Sequence, residues 1–257
     1  MILYFTGTGN SKFAADFLAE YLGDECLSLN EKIKKGEDIK ENSEKPYIVV
    51  APIHAWRFPL KVEEIVKRAE LKGSRKIYFV GTMGENSGKT DTCLKKLCGE
   101  KGLEFMGFCG VKMQNNYLIG DVMPNKAVAE ENLHEVIPAL ENIAEKIKNG
   151  EKIEKTDKTP FTFLVSGVVN KFFTKFAGKY MKPTASDKCG ACGICAEFCP
   201  VNNIEIKDGK AQMGEKCISC FGCIHRCPTE AVNIEGKTEK NGRYLCPEYS
   251  QWKKAHE

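Results

Sequence analysis

The segment Ile2-Leu3-Tyr4-Phe5-Thr6-Gly7-Thr8-Gly9-Asn10-Ser11 is a short apolar run that ends in a glycine-bearing loop and then enters a helical pattern. An apolar run of this length, stopped by glycine, reads as a buried strand over Ile2 to Phe5. Ser11 to Leu22 carries Phe13, Phe17, Leu18 and Tyr21 at helical spacing. The alternation then repeats. Cys26 to Leu29 reads as a second strand, residues 30–45 as a charged loop, and Tyr47 to Pro52 as the clearest strand of all. Leu60 to Ala69 reads as a helix with Val62, Ile65, Val66 and Ala69 on one stripe. Lys76 to Gly81 is a strand, Lys89 to Cys98 a helix, Glu104 to Lys112 a strand, and Ala127 to Lys148 a long helix. Such alternation predicts an α/β fold, a doubly wound parallel five-stranded sheet with helices on both faces. In such a sheet ligands bind outside the strand C-termini. The corresponding loops are residues 6–11, 52–59, 81–88 and 113–121.

The first of these loops, Thr6-Gly7-Thr8-Gly9-Asn10-Ser11, supplies hydroxyls, two glycines and a helix N-terminus. Backbone N–H groups exposed there hold an anion such as a phosphate without a nearby arginine. The competing reading is an ordinary glycine turn with Ser11 as a cap. A dinucleotide fingerprint fails, because Lys12 stands where its third glycine belongs. Gly88-Lys89-Thr90 ends like a Walker A loop, but Met83 stands where that motif begins, so Gly81 to Gly88 reads as a ligand loop.

The pattern S/T-x-T-G-N-S/T directly after an N-terminal strand resembles the phosphate loop of flavodoxins. The resemblance implies FMN, with its phosphate held by Thr6, Gly7, Thr8, Gly9, Asn10 and Ser11. It also implies aromatic cover for the flavin ring from later loops. Trp56, in Ala55-Trp56-Arg57-Phe58-Pro59, is the candidate, with packing at a helix entry as the alternative. Thr82, Met83 and Gly84 are expected to line the ring edge through their backbone. This third loop lacks the aromatic that flavodoxins place there, and Tyr117 is the expected substitute. Asn115 and Asn116 offer amides to the ring or ribityl chain, or simply form a turn. His54 is a loop histidine that could approach the flavin or have no role.

Thirteen cysteines stand in 257 residues, and they are uneven. Cys189, Cys192, Cys195 and Cys199 precede Pro200; Cys217, Cys220, Cys223 and Cys227 precede Pro228. Both runs read C-x2-C-x2-C-x3-C-P at an offset of 28 residues. This is the bacterial two-cluster ferredoxin spacing, in which the fourth cysteine of each run serves the other cluster. By that rule one 4Fe–4S cluster takes Cys189, Cys192, Cys195 and Cys227, and the other takes Cys217, Cys220, Cys223 and Cys199. Crossed ligation lets a small domain fold with little core. Zinc knuckles pair C-x2-C with a distant second pair, a poor fit. His225 and Arg226, at the positions of Glu197 and Phe198 in the first run, break the repeat. They could tune a cluster, but a solvated helix face is the simpler expectation. Cys26, Cys93, Cys98, Cys109 and Cys246 lack ligand spacing.

Composition bounds the rest. Apolar residues make up 42% and charged residues 28%, a soluble balance. No uncharged apolar run reaches the ~18 residues that a membrane span needs. No secretory pattern opens the chain, so a reducing, cytoplasmic setting is expected, where clustered cysteines bind metal or do redox chemistry. Residues 1–150 carry 21 basic and 22 acidic side chains, and residues 189–257 carry nine of each. The net charge of +3 therefore comes from the connector, where Lys171, Lys175, Lys179 and Lys182 share one helical face. That face is expected to be solvated, with an acidic redox partner as its next reading. Nucleic acid is not an expected partner.

The whole order resembles flavodoxin–ferredoxin fusion proteins. The resemblance extends to Trp56-Arg57-Phe58-Pro59, Asn115-Asn116-Tyr117 and the tail Gly242 to Glu248. It implies residues 1–155 as a flavodoxin-like FMN domain, 156–186 as a basic amphipathic connector, and 187–257 as a small α+β two-cluster ferredoxin domain with its tail. The expected function is electron transfer between FMN, two 4Fe–4S clusters and a redox partner. The alternative is an FMN-dependent iron–sulfur oxidoreductase acting on a small organic molecule, with His54, Arg57 or Tyr117 as polar contacts.

Overall fold

The computed structural model describes residues 1–120, 126–157 and 181–256. Its centre is a five-stranded, all-parallel sheet. The strands are β1 (Ile2–Tyr4), β2 (Cys26–Ser28), β4 (Tyr47–Pro52), β6 (Lys76–Met83) and β7 (Glu104–Lys112), in the spatial order β2-β1-β4-β6-β7. The order reverses at β1, so the loops after β1 and β4 run to opposite faces and leave a crevice between them.

The strands are apolar at successive positions because both faces are covered. Ile2, Ile48, Val50, Tyr78 and Val80 pack under α1 (Asn10–Leu22) and α5 (Lys126–Lys148). Leu3, Phe5, Tyr47, Val49, Ile77 and Phe79 pack under α3 (Leu60–Arg68) and α4 (Thr90–Lys101).

Residues 30–45, expected as a loop, are ordered into two elements. Helix α2 (Leu29–Lys35) starts where the Ser28 hydroxyl accepts the Glu31 N–H at 3.3 Å, and ends at left-handed Gly36. Strand β3 (Lys40–Ser43) pairs in parallel with β5 (Glu70–Gly73) as a separate ribbon. The charge density hid a capping signal and two single apolar anchors, Leu29 and Ile39, both fully buried.

The cysteine-rich part is a miniature of paired halves. Strand β8 (Thr184–Ala185) pairs with β11 (Val232–Asn233), and β9 (Ile204–Lys207) forms a hairpin with β10 (Lys210–Met213). Two short helices, α6 (Ile194–Glu197) and α7 (Gly222–Arg226), lie 28 residues apart. The backbone repeats with them. Ala191 and Ser219 have φ of 51° and 53°, Asn202 and Glu230 have 48° and 51°, and Gly193 and Phe221 have 80° and 55°.

The chain then returns to its start. Helix α8 (Tyr249–His256) lies on α1, with the Tyr249 and Trp252 rings edge-on to Phe13 at 5.3 and 5.6 Å. The tail that sequence grouped with the cysteine-rich part therefore packs on the N-terminal sheet layer. Of the connector lysines, Lys171, Lys175 and Lys179 lie outside the described residues; Lys182 pairs with Glu215. Among the described residues no helix is long and apolar enough to cross a membrane.

Tyr249→Ala removes a buried ring from this seam and should lower the unfolding free energy by about 3 kcal/mol. Urea unfolding followed by circular dichroism checks it; an unchanged midpoint would mean that α8 adds nothing to the N-terminal core.

Candidate functional site

The four loops at the C-terminal ends of the strands converge on a cavity of about 470 Å³. Thr6, Gly7, Thr8, Asn10 and Ser11 line it from the first loop, Trp56 with His54 from the second, Thr82, Met83 and Gly84 from the third, and Asn115, Asn116 and Tyr117 from the fourth. Gly9 alone among the expected residues is absent from its wall.

The first loop is closed by the Gly9 N–H, which donates to Thr6 Oγ1 at 3.0 Å, and is fixed in place by side chains around it. Ser11 Oγ meets Thr82 Oγ1 at 2.7 Å, and Asn116 Nδ2 donates to Thr8 Oγ1 at 2.5 Å. Asn10 Nδ2 donates to the Gln114 carbonyl at 2.9 Å. Asn30 clasps Thr6 from behind, accepting its N–H at 2.9 Å and donating to its carbonyl at 2.8 Å. The loop thus hands over to the N-terminus of α1, whose free N–H groups favour an anion.

The second loop is strained. Ala55 and Trp56 are consecutive left-handed residues, φ 46° and 64°, in a turn closed by the His54 N–H to Arg57 carbonyl bond at 2.8 Å. Strain of this kind concentrates at ligand sites. Burial alone pulls the His54 imidazole down to about 4, so it is neutral at physiological pH. Arg57, weighed as a polar contact, turns away instead. Its guanidinium grips Glu63 through two bonds of 2.6 and 2.5 Å, a geometry that fixes it outside the cavity.

Among the described residues no three His, Cys, Asp or Glu side chains are placed to hold a single metal ion, but the clustered cysteines are neighbours across the repeat. The Cys195 thiol is pushed up by burial and by its neighbours Cys189, Cys192 and Cys227. Burial pushes Cys217 and Cys220 up as well, Cys220 to about 12, with Cys199 a neighbour of both. Cys223 rises well above the ordinary range through burial, then through Cys220, Cys217, Cys199 and Cys195. Neighbouring thiols of this kind oppose one another's ionisation, and a cation among them would relieve that repulsion. Amides already point at the sulfurs: Asn203 N to Cys199 at 3.3 Å, Ser219 N to Cys217 at 3.4 Å and Ala231 N to Cys227 at 3.2 Å. At Cys227 burial opposes ionisation, but hydrogen bonds from the Val232, Ala231 and Thr229 amides and the Thr229 hydroxyl outweigh it and lower the thiol. N–H donors to sulfur suit iron–sulfur ligation. All thirteen cysteines are free thiols.

The two sites share a wall. Ser219, Cys220 and Phe221 line the same cavity as the strand-end loops. A Cβ on Gly7 would lie 2.5 Å from the Cys220 carbonyl oxygen, and one on Gly9, φ 107°, would lie 2.8 Å from that of Cys246. The glycines of the first loop are therefore needed for the approach of the cysteine-rich part and of the tail. Arg226 Nη1 donates to the Gly7 carbonyl and stacks at 4.7 Å on the Phe198 ring. His225 is 4% exposed. Its Nδ1 accepts the Tyr244 N–H at 3.0 Å, which places the ring proton on Nε2, and Nε2 donates to the Asn116 carbonyl at 2.9 Å. Tyr244 Oη reaches Asn10 Oδ1 at 2.9 Å, and the Cys246 N–H reaches the Thr8 carbonyl at 2.8 Å.

The solvated face expected for His225 and Arg226 is thus overturned. The repeat held the signal. The second half has Phe221, Gly222, His225 and Arg226 where the first has Gly193, Ile194, Glu197 and Phe198. These substitutions mark the half that faces the sheet. In the other half, the Phe198 side remains open, with that residue 51% exposed.

A family model described as a flavodoxin domain matches residues 1–116, and one described as a 4Fe-4S dicluster domain matches residues 183–242. None of the curated proteins compared matches the chain. Among solved structures, the chain is similar to the Trp repressor binding protein from Bacillus subtilis, at 13% identity over 57% of this chain and 97% of that one, with a TM-score of 0.34. It is similar to a flavoprotein from Bacteroides eggerthii, at 17% identity over 53% of this chain and 96% of that one, with a TM-score of 0.32. It is also similar to rubredoxin oxygen:oxidoreductase from Desulfovibrio gigas, at 15% identity over 58% of this chain and 35% of that one, with a TM-score of 0.31.

Gly7→Ala should cost about 1–3 kcal/mol by forcing Cys220 away from the first loop, read as a lowered urea midpoint; full retention of stability would contradict the close approach. For His54, a folded value below the ordinary 6.5 means that the unfolded chain binds more protons between those values. Its contribution is complete above about pH 6.5 and is lost as the pH falls toward about 4. The stability difference between wild type and His54→Asn should change across that window and level off on either side of it. A difference that is flat with pH would show that His54 is freely hydrated.

Proposed function

The chain joins a flavodoxin domain to a 4Fe–4S dicluster domain, and we propose that it carries electrons between one FMN and two 4Fe–4S clusters within a single molecule. The observation that carries this reading is the shared wall, with Cys220 lining the cavity formed by the strand-end loops. Residues 1–155 form the FMN domain in this reading, 187–257 the two-cluster domain with a tail that packs on α1, and 156–186 the connector.

Thr6, Gly7, Thr8, Asn10 and Ser11, at the start of α1, hold the FMN phosphate, with Gly9 making the turn. Trp56, Thr82, Met83, Gly84, Asn115, Asn116 and Tyr117 surround the ring. Cys189, Cys192, Cys195 and Cys227 hold one cluster, and Cys217, Cys220, Cys223 and Cys199 hold the other. FMN supplies one- or two-electron exchange when bound, and each cluster one-electron exchange. The protein's own part is geometric and electrostatic. It shields most of the thiols in part and aims amides at sulfur. Electrons leave or enter through a redox partner, with the lysines of the connector as a docking face for an acidic protein. A cytoplasmic setting fits thiols kept reduced.

A second reading, an FMN-dependent reductase of a small organic molecule, is favoured by one observation: Glu85 lines the same cavity as His54, which burial keeps neutral. Turnover of a discrete substrate that falls on His54→Asn would select it.

Anaerobic purification with iron, sulfide, zinc and flavin quantified tests the main reading. About eight irons and one FMN per chain are expected from two four-iron clusters. Cys192→Ser, on the exposed side of one group, should lower the iron content while leaving flavin bound. Stoichiometric zinc, or no flavin after reconstitution, would overturn the corresponding half.

A further inference from the structure

Phe221 is an anomaly in the repeat. It holds a left-handed backbone, φ 55°, at the position where the first half has Gly193 at φ 80°. Glycine takes this conformation without steric cost, whereas a bulky aromatic does not. The neighbouring helix does not require the ring, since Gly193 caps the equivalent helix without one. The Phe221 side chain is 5% exposed and lines the strand-end cavity beside Tyr117, with ring centroids 5.4 Å apart and planes at 52°. It is thus the aromatic contribution of the cysteine-rich part to a cavity whose third loop, Thr82 to Asn86, contains no aromatic residue.

We propose that Phe221 is a flavin-binding residue, through which the loop carrying Cys217, Cys220 and Cys223 completes the FMN site, so that FMN affinity and the order of this loop are coupled. The inference rests on the reading of the cavity as the FMN site. Ala191, Ser219, Asn202 and Glu230 are left-handed in both halves, but at 193/221 a glycine in one half is replaced by a bulky aromatic in the other, and the ring there lines the cavity. The loop is tied to the rest of the site at two more points. Gly7 lies against Cys220, and His225 holds the Asn116 carbonyl. Displacing the loop therefore moves three walls of the cavity at once. Because linkage is reciprocal, whatever orders the loop tightens FMN binding, and FMN in turn protects the loop.

The test is anaerobic titration of the cluster-loaded chain with FMN, read by quenching of flavin fluorescence and by the visible flavin absorption band. Phe221→Leu keeps apolar volume but loses the aromatic face. Phe221→Gly relieves the backbone and removes the side chain. Both should weaken FMN binding by about three- to tenfold, the range of one aromatic pair, and shift the flavin band, with iron content unchanged. Phe221→Tyr should restore both signals. Wild type stripped of iron by a chelator should bind FMN more weakly than the loaded chain, and FMN should slow that stripping. Unchanged affinity and absorption in the Leu and Gly variants would overturn the role of Phe221. Equal affinity with and without iron would overturn the coupling. A loaded wild type that fails to bind FMN at all would overturn the underlying reading of the cavity instead.

Discussion

At Gly7 the backbone of the first sheet loop meets the carbonyl of Cys220 so closely that no side chain fits between them. The rest of the molecule is arranged around this contact. The loop after β1 is where an α/β sheet of this order binds its ligand, and Cys220 sits in the middle of one of two cysteine runs. Bringing them together makes one wall serve two sites. Gly222 repeats the constraint from the other side, since a Cβ there would lie 2.9 Å from the Gly7 carbonyl oxygen. Arg226 then satisfies that carbonyl. It would otherwise be a backbone acceptor buried at a junction without a partner, an arrangement that costs free energy.

The junction is polar and interlocked rather than greasy. His225 bridges the Tyr244 amide and the Asn116 carbonyl, while Tyr244 reaches Asn10 and Asn116 reaches Thr8. Each of these residues needs the others in place to be satisfied. Burial lowers the His225 imidazole to about 4, which keeps it neutral and able to accept at one nitrogen while donating at the other. A network of this kind fixes a unique orientation. An electron carrier needs that fixity, because transfer between two centres depends on a constant separation. The tail adds a second tie, with the Cys246 amide on Thr8 and the Tyr249 ring against Phe13 and Phe17.

Much of this was legible in the chain itself. Strand and helix periods disclosed the sheet, and cysteine spacing disclosed the paired halves, because both signals repeat. The elements that escaped do not repeat. Helix α2 lies in a run dense with Lys and Glu, where a capping serine and a terminal glycine carry the signal that apolar periodicity carries elsewhere. Helix α8 has only Tyr249 and Trp252 to identify its buried side. The docking face was visible only as a set of mismatches. Glu197 against His225, Phe198 against Arg226 and Gly193 against Phe221 look like decay of a repeat until the sheet is placed beside one half. Local spacing cannot report a contact between residues more than two hundred positions apart.

The central claim is that flavin and clusters exchange electrons inside one molecule across the Gly7–Cys220 contact. Flash photoreduction of the FMN in the fully loaded chain tests it most directly, with flavin and cluster absorption followed in time. The account predicts that the flavin signal decays as the cluster signal grows, at a single rate that does not change when the protein is diluted tenfold. A rate that falls in proportion to protein concentration, or a cluster signal that never appears, would contradict it.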